Sequence, residues 1–309
     1  MELRNLGNSG LKVSMVGLGC NNFGMRIDAA QTKAVVHAAL DAGINFFDTA
    51  DVYGGQKSEV LLGEALQGID RDSVVIATKF AMPTGEGRLG ASRRYIMSAV
   101  EASLKRLGTD HIDLYQQHRP DAETPIEETL RALDDLVTAG KVRYLGNSNF
   151  NGWQLADADW TARSEGLNRF VSAQNHYNLL DRRIEREVLP ACERFGLGML
   201  PYFPLASGLL TGKYDRGQPA PENTRLSGER GKSALTDANF DVVERLAGFA
   251  ADRGHSLLEL AMSWLASNPT VSSVISGATR VEQVEANVAA AGWELSEDEL
   301  AEIGTLSRR

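Results

Sequence analysis

The sequence predicts an α/β fold, a (β/α)8 TIM barrel with an N-terminal β-hairpin, and three observations carry that expectation. Eight short runs rich in β-branched and aromatic residues recur along 309 residues, segments with helical spacing lie between them, and the runs are apolar throughout rather than alternating. Strands of that kind need cover on both faces, and alternation with helices implies parallel pairing through right-handed crossovers. Eight such units close into a barrel. An open doubly wound sheet is the alternative, but its Gly-x-Gly-x-x-Gly phosphate fingerprint is missing: Gly17 and Gly19 lead into Cys20-Asn21-Asn22.

The candidate strands are Val13–Leu18, Asn45–Thr49, Val74–Phe80, Ile112–His118, Val142–Asn147, Phe170–Asn175, Leu197–Phe203 and Val271–Ile275. Six helix starts show a capping-box pattern, at Asp28/Gln31, Thr124/Glu127, Asn151/Gln154, Ser256/Glu259, Thr279/Glu282 and Ser296/Glu299. Pro125 is placed at the first helical position, where a missing N–H costs nothing, and Gly43, Gly108 and Gly140 mark helix ends. Residues 2 to 13, with Asn8-Ser9-Gly10 at the turn, read as a hairpin that plugs the barrel floor. From Ala206 to about Ser233 no period is found, over a length beyond the roughly 12 to 15 residues usual for structureless connections. With no repeat and no linker, residues 1–309 read as a single domain. Trp153, Trp160 and Trp264, at helical positions, read as packing residues.

Composition narrows the function. Hydrophobic residues make up 43% and charged residues 24%, the balance of an ordinary folded chain. With 32 Lys and Arg against 41 Asp and Glu, net charge is −9, and no basic cluster suggests nucleic acid or an anionic membrane as partner. An anionic ligand has to be met by local cations. Two cysteines, Cys20 and Cys192, are too few for a disulfide framework or a cysteine zinc site, and His37, His111, His176 and His255 lack metal-ligand spacing. No metal is expected. The start Met1-Glu2-Leu3-Arg4-Asn5 lacks the regions of a signal peptide, and no apolar stretch reaches the roughly 18 residues of a membrane span, so a cytoplasmic location is expected.

In a parallel barrel, reactive groups stand at the C-terminal ends of strands. Asp48, Lys79 and His118 end candidate strands, and Tyr53 follows Asp48 by five residues. Taken singly, each has an ordinary structural reading: a turn cap, rim packing, a solvated lysine, a loop histidine. Together they form a proton-donating set. A phenol with a reference pKa of about 10 is a poor acid unless a cation stabilises its phenolate, which Lys79 can supply. Asp48 balances the lysine, and His118 is suited to orienting a carbonyl oxygen beside the tyrosine hydroxyl.

Long stretches around these residues resemble the aldo-keto reductase superfamily almost end to end: Phe47-Asp48-Thr49-Ala50-Asp51-Val52-Tyr53-Gly54, then Leu104–His118, Gly140–Phe150 and Pro204–Tyr214. The resemblance implies a barrel enzyme that binds NADPH across the strand ends and passes hydride to an aldehyde or ketone, a small-molecule carbonyl substrate. It makes Asp48, Tyr53, Lys79 and His118 a catalytic tetrad with tyrosine as proton donor. It places Ser148, Asn149 and Gln174 at the nicotinamide carboxamide, and Tyr202 as a flat ring stacked on the nicotinamide. Further cofactor contacts are implied for Cys20, Asn21, Asp48, Phe203, Leu205, Ser207 and Gly208. Lys213 and Arg225 match pyrophosphate contacts. Gly277-Ala278-Thr279-Arg280 opens the last helix, offering free N–H groups and a guanidinium to an adenosine 2′-phosphate, which favours NADP(H) over NAD(H). Gln283 and Asn287 fall on the adenosine-binding helix, and Ala286 stands where the family often has glutamate. Pocket walls of mixed polarity are expected from Asn21, Asn22, Phe23, Met25, Phe80 and Arg119. Monomer and homo-oligomer both fit.

Two other functions compete. The β subunits of voltage-gated potassium channels resemble this superfamily and share the pattern around Pro204-Leu205-Ala206, which suggests a cofactor-sensing binding protein; they usually carry asparagine at the position of His118. A Schiff-base aldolase would use Lys79 as nucleophile, but the neighbouring Asp48 should hold that amine protonated.

Overall fold

The computed structural model describes residues 1–85, 87–222 and 224–308. Strands β1 (Leu3–Asn5) and β2 (Lys12–Ser14) pair antiparallel as the hairpin. Eight parallel strands follow: β3 (Val16–Gly19), β4 (Phe46–Asp48), β5 (Val75–Phe80), β6 (Ile112–Gln117), β7 (Val142–Ser148), β8 (Phe170–His176), β9 (Gly198–Tyr202) and β10 (Val274–Gly277). Their order is β10-β3-β4-β5-β6-β7-β8-β9. The two edges meet where Met199 N donates to Thr270 O (2.8 Å) and Ser272 N to Met199 O (3.0 Å), which nearly closes the barrel.

All eight candidate runs become barrel strands, with two shifts. Val13–Leu18 divides at Met15, because Val13 is taken by the hairpin and the barrel strand begins at Val16. The last strand begins at Val274, while Val271 makes only an isolated bridge to Met199.

The boxes at Asp28/Gln31, Asn151/Gln154, Ser256/Glu259 and Ser296/Glu299 form as expected. The other two do not. Thr124 Oγ1 donates instead to Asp121 Oδ2 (2.8 Å), a carboxylate that also accepts from Ala91 N (2.7 Å), so Pro125 occupies the cap of helix Ile126–Thr138. Before helix Val281–Ala289, Thr279 donates both N–H and hydroxyl to Gln283 Oε1 (2.8 and 3.1 Å), and Arg280 becomes the cap residue.

The floor of the barrel is closed from below. Leu6 and Val13 of the hairpin, both fully buried, pack with Phe46, Val75, Leu114 and Leu200 on the inner side of the sheet. Burying each such side chain stabilises the fold by about 1.5–3 kcal/mol. The segment from Ala206 to Ser233 is not structureless. It contains the 3-10 helix Ala206–Thr211 and helix Glu229–Ala234, pinned by buried Leu209, Leu210, Tyr214 and Leu226. Trp264 packs on Tyr177 at 5.1 Å, but Trp153 and Trp160 are 63% and 57% exposed, contrary to the packing expected of them. Among the described residues, no helix is long and apolar enough to cross a membrane.

Candidate active site

Four side chains meet at the C-terminal mouth of the barrel. Asp48 ends β4, Lys79 is the penultimate residue of β5, His118 follows β6, and Tyr53 opens the 3-10 helix Tyr53–Gln56. Lys79 lies wholly inside. Its Nζ donates to Asp48 Oδ2 (2.7 Å), to Thr49 O (2.8 Å) and to Tyr53 OH (3.4 Å), and stands 4.9 Å from the centroid of the Tyr53 ring. The rings of Tyr53 and His118 meet edge to face, 5.7 Å apart at 81°.

The second oxygen of Asp48 accepts from Gln174 Nε2 (2.8 Å) and Gln116 Nε2 (3.1 Å). A carboxylate buried in this way is held by one ammonium and two amides, all of them charge-assisted contacts. Gln116 did not emerge from the sequence reading. The signal was present, since it stands two residues before His118 and so on the same face of β6, in register with Lys79.

Burial and charge set the protonation states. Lys79 is held above its ordinary value: desolvation works against the ammonium, but Asp48 and Tyr53 outweigh it. An ammonium so held is no free amine, which disfavours Schiff-base chemistry. Burial lowers the His118 imidazole to about 3, with Lys79 and Arg119 adding to the effect, and the ring is neutral at physiological pH. Tyr53 differs from the expectation of an acidified phenol. Burial raises it above its ordinary value and outweighs the opposing pull of Lys79, so the hydroxyl keeps its proton. A neutral phenol touching an ammonium remains able to protonate a stronger base, such as an alkoxide, and to leave its phenolate beside a cation.

Tyr53, Asp48 and His118 line a cavity of about 750 Å³, within the range of small-molecule sites. The same cavity is lined by Asn21, Ser148, Asn149, Gln174, Tyr202, Phe203, Leu205, Ser207, Gly208, Lys213, Arg225, Gly277, Thr279, Arg280, Gln283 and Asn287. Cys20 is not among them, for its thiol is buried in the core and faces Leu18 O at 3.5 Å. Phe23 and Phe80 are likewise core residues, fully buried, and not pocket walls. The N–H of Thr279 is engaged by Gln283, which corrects the expectation of free donors at that position.

Several walls are tied together. Arg225 donates to Asn22 Oδ1 (3.1 Å) and Asn21 Oδ1 (3.4 Å) and lies over the Phe203 ring at 5.3 Å, linking the Ala206–Ser233 segment to the loop after β3. Asn149, in left-handed backbone at φ 62°, donates to His118 O (2.9 Å) and accepts from Tyr202 OH (2.8 Å). Gln56, Ala81, Phe203, Ala206 and Ser207 are also left-handed, so these non-glycine positions lie in the connections that follow β4, β5, β7 and β9.

The profile of the Aldo/keto reductase family matches residues 15–308. A probable voltage-gated potassium channel subunit beta of Oryza sativa subsp. japonica is 40% identical over 299 residues, covering 94% of this chain and 91% of that protein. An aldo-keto reductase of Fusarium vanettenii is 38% identical, with 97% of this chain and 89% of that protein covered. A versiconal hemiacetal acetate reductase of Aspergillus parasiticus is 35% identical, with 97% and 95% covered. With its barrel, its mouth and this likeness along nearly the whole sequence, the chain belongs to the aldo/keto reductase family.

Proposed function

We propose that the protein is an NADP(H)-dependent aldo-keto reductase acting on an aldehyde or ketone, or on the corresponding alcohol, with Tyr53 as proton donor, in a single barrel domain of residues 1–309 located in the cytoplasm. The observation that carries this reading is the contact between a neutral Tyr53 and a charged Lys79 at 3.4 Å, in a cavity that also presents Lys213, Arg225 and Arg280.

The donor set fits an extended, anionic dinucleotide: a flat ring at Tyr202, polar groups at Ser148 and Gln174, and three cations for phosphates, all along one cavity. Arg280, with its side chain 69% exposed, is the group suited to a 2′-phosphate, which distinguishes NADP(H) from NAD(H). When bound, the cofactor supplies the hydride. Tyr53 gives its proton to the carbonyl oxygen as charge develops there, and Lys79 stabilises the phenolate left behind. Asp48 keeps Lys79 charged, Gln116 and Gln174 hold Asp48, and neutral His118 offers a ring N–H to the same oxygen.

Tyr53→Phe tests the proposal. NADPH oxidation with a panel of aldehydes should fall by about 10²–10⁴-fold while NADPH affinity stays near wild type, in line with loss of a general acid. Unimpaired turnover would remove Tyr53 from the role. A second reading, that of a cofactor-sensing subunit, is favoured by the 40% identity to the rice potassium channel subunit. Tight NADPH binding without turnover on any aldehyde of the panel supports it; steady oxidation by the wild type excludes it as the sole function.

A further inference from the structure

The ring of Tyr202 is fixed by more than its own strand. His176 and Tyr202 are in register on the parallel strands β8 and β9, and His176 lies two residues beyond Gln174, which points into the barrel to reach Asp48. His176 therefore occupies the next layer toward the mouth. Its imidazole stacks on the Tyr202 ring, 5.4 Å between centroids at 8°. Phe203 closes the corner edge-on, 5.3 Å from Tyr202 and 5.7 Å from His176.

The imidazole is itself locked. Asn178 Oδ1 accepts from Leu180 N and Asp181 N, both at 2.9 Å, and its Nδ2 donates to Phe203 O at 2.9 Å, which fixes the orientation of that amide. The same Nδ2 faces His176 Nε2 at 3.1 Å, so Nε2 has to be the acceptor. The ring proton then sits on Nδ1, where Asp181 Oδ2 stands 3.1 Å away, itself held by Arg183. One neutral tautomer satisfies every partner. Burial, the largest influence, also lowers the basicity of this ring, with Arg183 assisting and Asp181 opposing.

We infer that His176 is a positioning residue for the cofactor: held by Asp181 and Asn178, it backs the Tyr202 ring so that the opposite face of that ring is presented at a fixed angle to the nicotinamide. The inference rests on the NADP(H) reading above. A ring free to tilt would pay the entropy of ordering each time the cofactor binds, and would blur the alignment between donor and carbonyl on which transfer depends. The bracing removes that loss in advance. Neither Asp181 nor Asn178 needs to touch the ligand for this to work.

The test titrates NADPH by fluorescence into wild type, His176→Ala and His176→Phe, and then measures steady-state kinetics with one aldehyde. The alanine variant should bind NADPH about tenfold more weakly and lose kcat, with KM for the aldehyde little changed, because the carbonyl side of the site is untouched. Phenylalanine restores a flat backing ring and should return NADPH affinity to within about threefold of wild type. Should the alanine variant unfold, His176→Leu, which keeps bulk without a flat ring, takes its place with the same expectation. Unchanged NADPH affinity in the alanine or leucine variant, or no recovery with phenylalanine, overturns the inference alone. A wild type that fails to bind NADPH overturns the cofactor reading and the inference with it.

Discussion

Lys79 Nζ lies 2.7 Å from Asp48 Oδ2, and the two side chains are only 0% and 4% exposed, so an ion pair is sealed at the heart of the mouth. Removing one partner strands the other charge. Asp48→Ala should cost about 3–5 kcal/mol, since the ammonium then keeps only neutral partners in a dry site. Lys79→Met should cost less, because Gln116 and Gln174 still donate to the carboxylate. The double variant should cost less than the sum of the singles. Urea denaturation of all three at pH 7 measures this, and strict additivity would refute the coupling.

Asp51 offers a pH signature. Its Oδ2 accepts from Tyr95 OH at 3.4 Å, and its Oδ1 is buried without a partner. Burial first, and then the neighbouring Glu59, push this carboxyl up to about 7 against the pull of Arg106. The unfolded chain releases that proton near pH 4, and the folded chain keeps it until about 7. Its contribution to stability is therefore complete below about pH 4 and is lost as pH rises through 7. Asp51→Asn should be more stable than wild type at pH 8 by roughly 1–3 kcal/mol and little different at pH 4. Parallel melting curves at both pH values decide it, and equal effects at the two would count against a buried proton.

His118 has the opposite sign. The unfolded imidazole takes up a proton near pH 6.5, whereas the folded one refuses it until about 3. Stability is thus present above 6.5 and drains as pH falls across that window. His118→Gln should lose less stability than wild type between pH 7 and pH 4, measured by urea midpoints at each pH. An identical slope for the two proteins would place the imidazole in contact with water.

Two helical glycines should respond oppositely to alanine. A Cβ on Gly63 would stand 2.3 Å from Leu107 O, where helix Lys57–Ala65 crosses helix Arg93–Leu107, whereas on Gly248 it would meet nothing within 4 Å. Gly63→Ala should destabilise by about 1–3 kcal/mol through overpacking. Gly248→Ala, in the exposed face of helix Asp237–Ala251, should stabilise by about 0.5–1 kcal/mol from helix propensity alone. Thermal melts of the pair are enough, and matching shifts would show that the helix contact yields.

What could be read in advance was what the chain settles locally. Eight apolar runs fixed the strands, and Ser256 or Asn151 cap their helices with a partner three residues away, a matter of neighbours in sequence. Thr124 and Thr279 failed for a different reason. Asp121 captures the first while anchoring Ala91 from another helix entry, and Gln283 outreaches Glu282 for the second. Within the site, Asp48, Tyr53, Lys79 and His118 were expected together from strand ends, and they do converge. The amides of Gln116 and Gln174 on Asp48 depend on three strands meeting inside a barrel, and the raised basicity of the Tyr53 phenolate depends on how deeply it is buried. Neither quantity is written in any short window of residues.

The hairpin that packs Leu6 and Val13 under the barrel blocks approach to Tyr53 from the floor. Tyr53 is met from the opposite end, where the strands finish and the cavity opens.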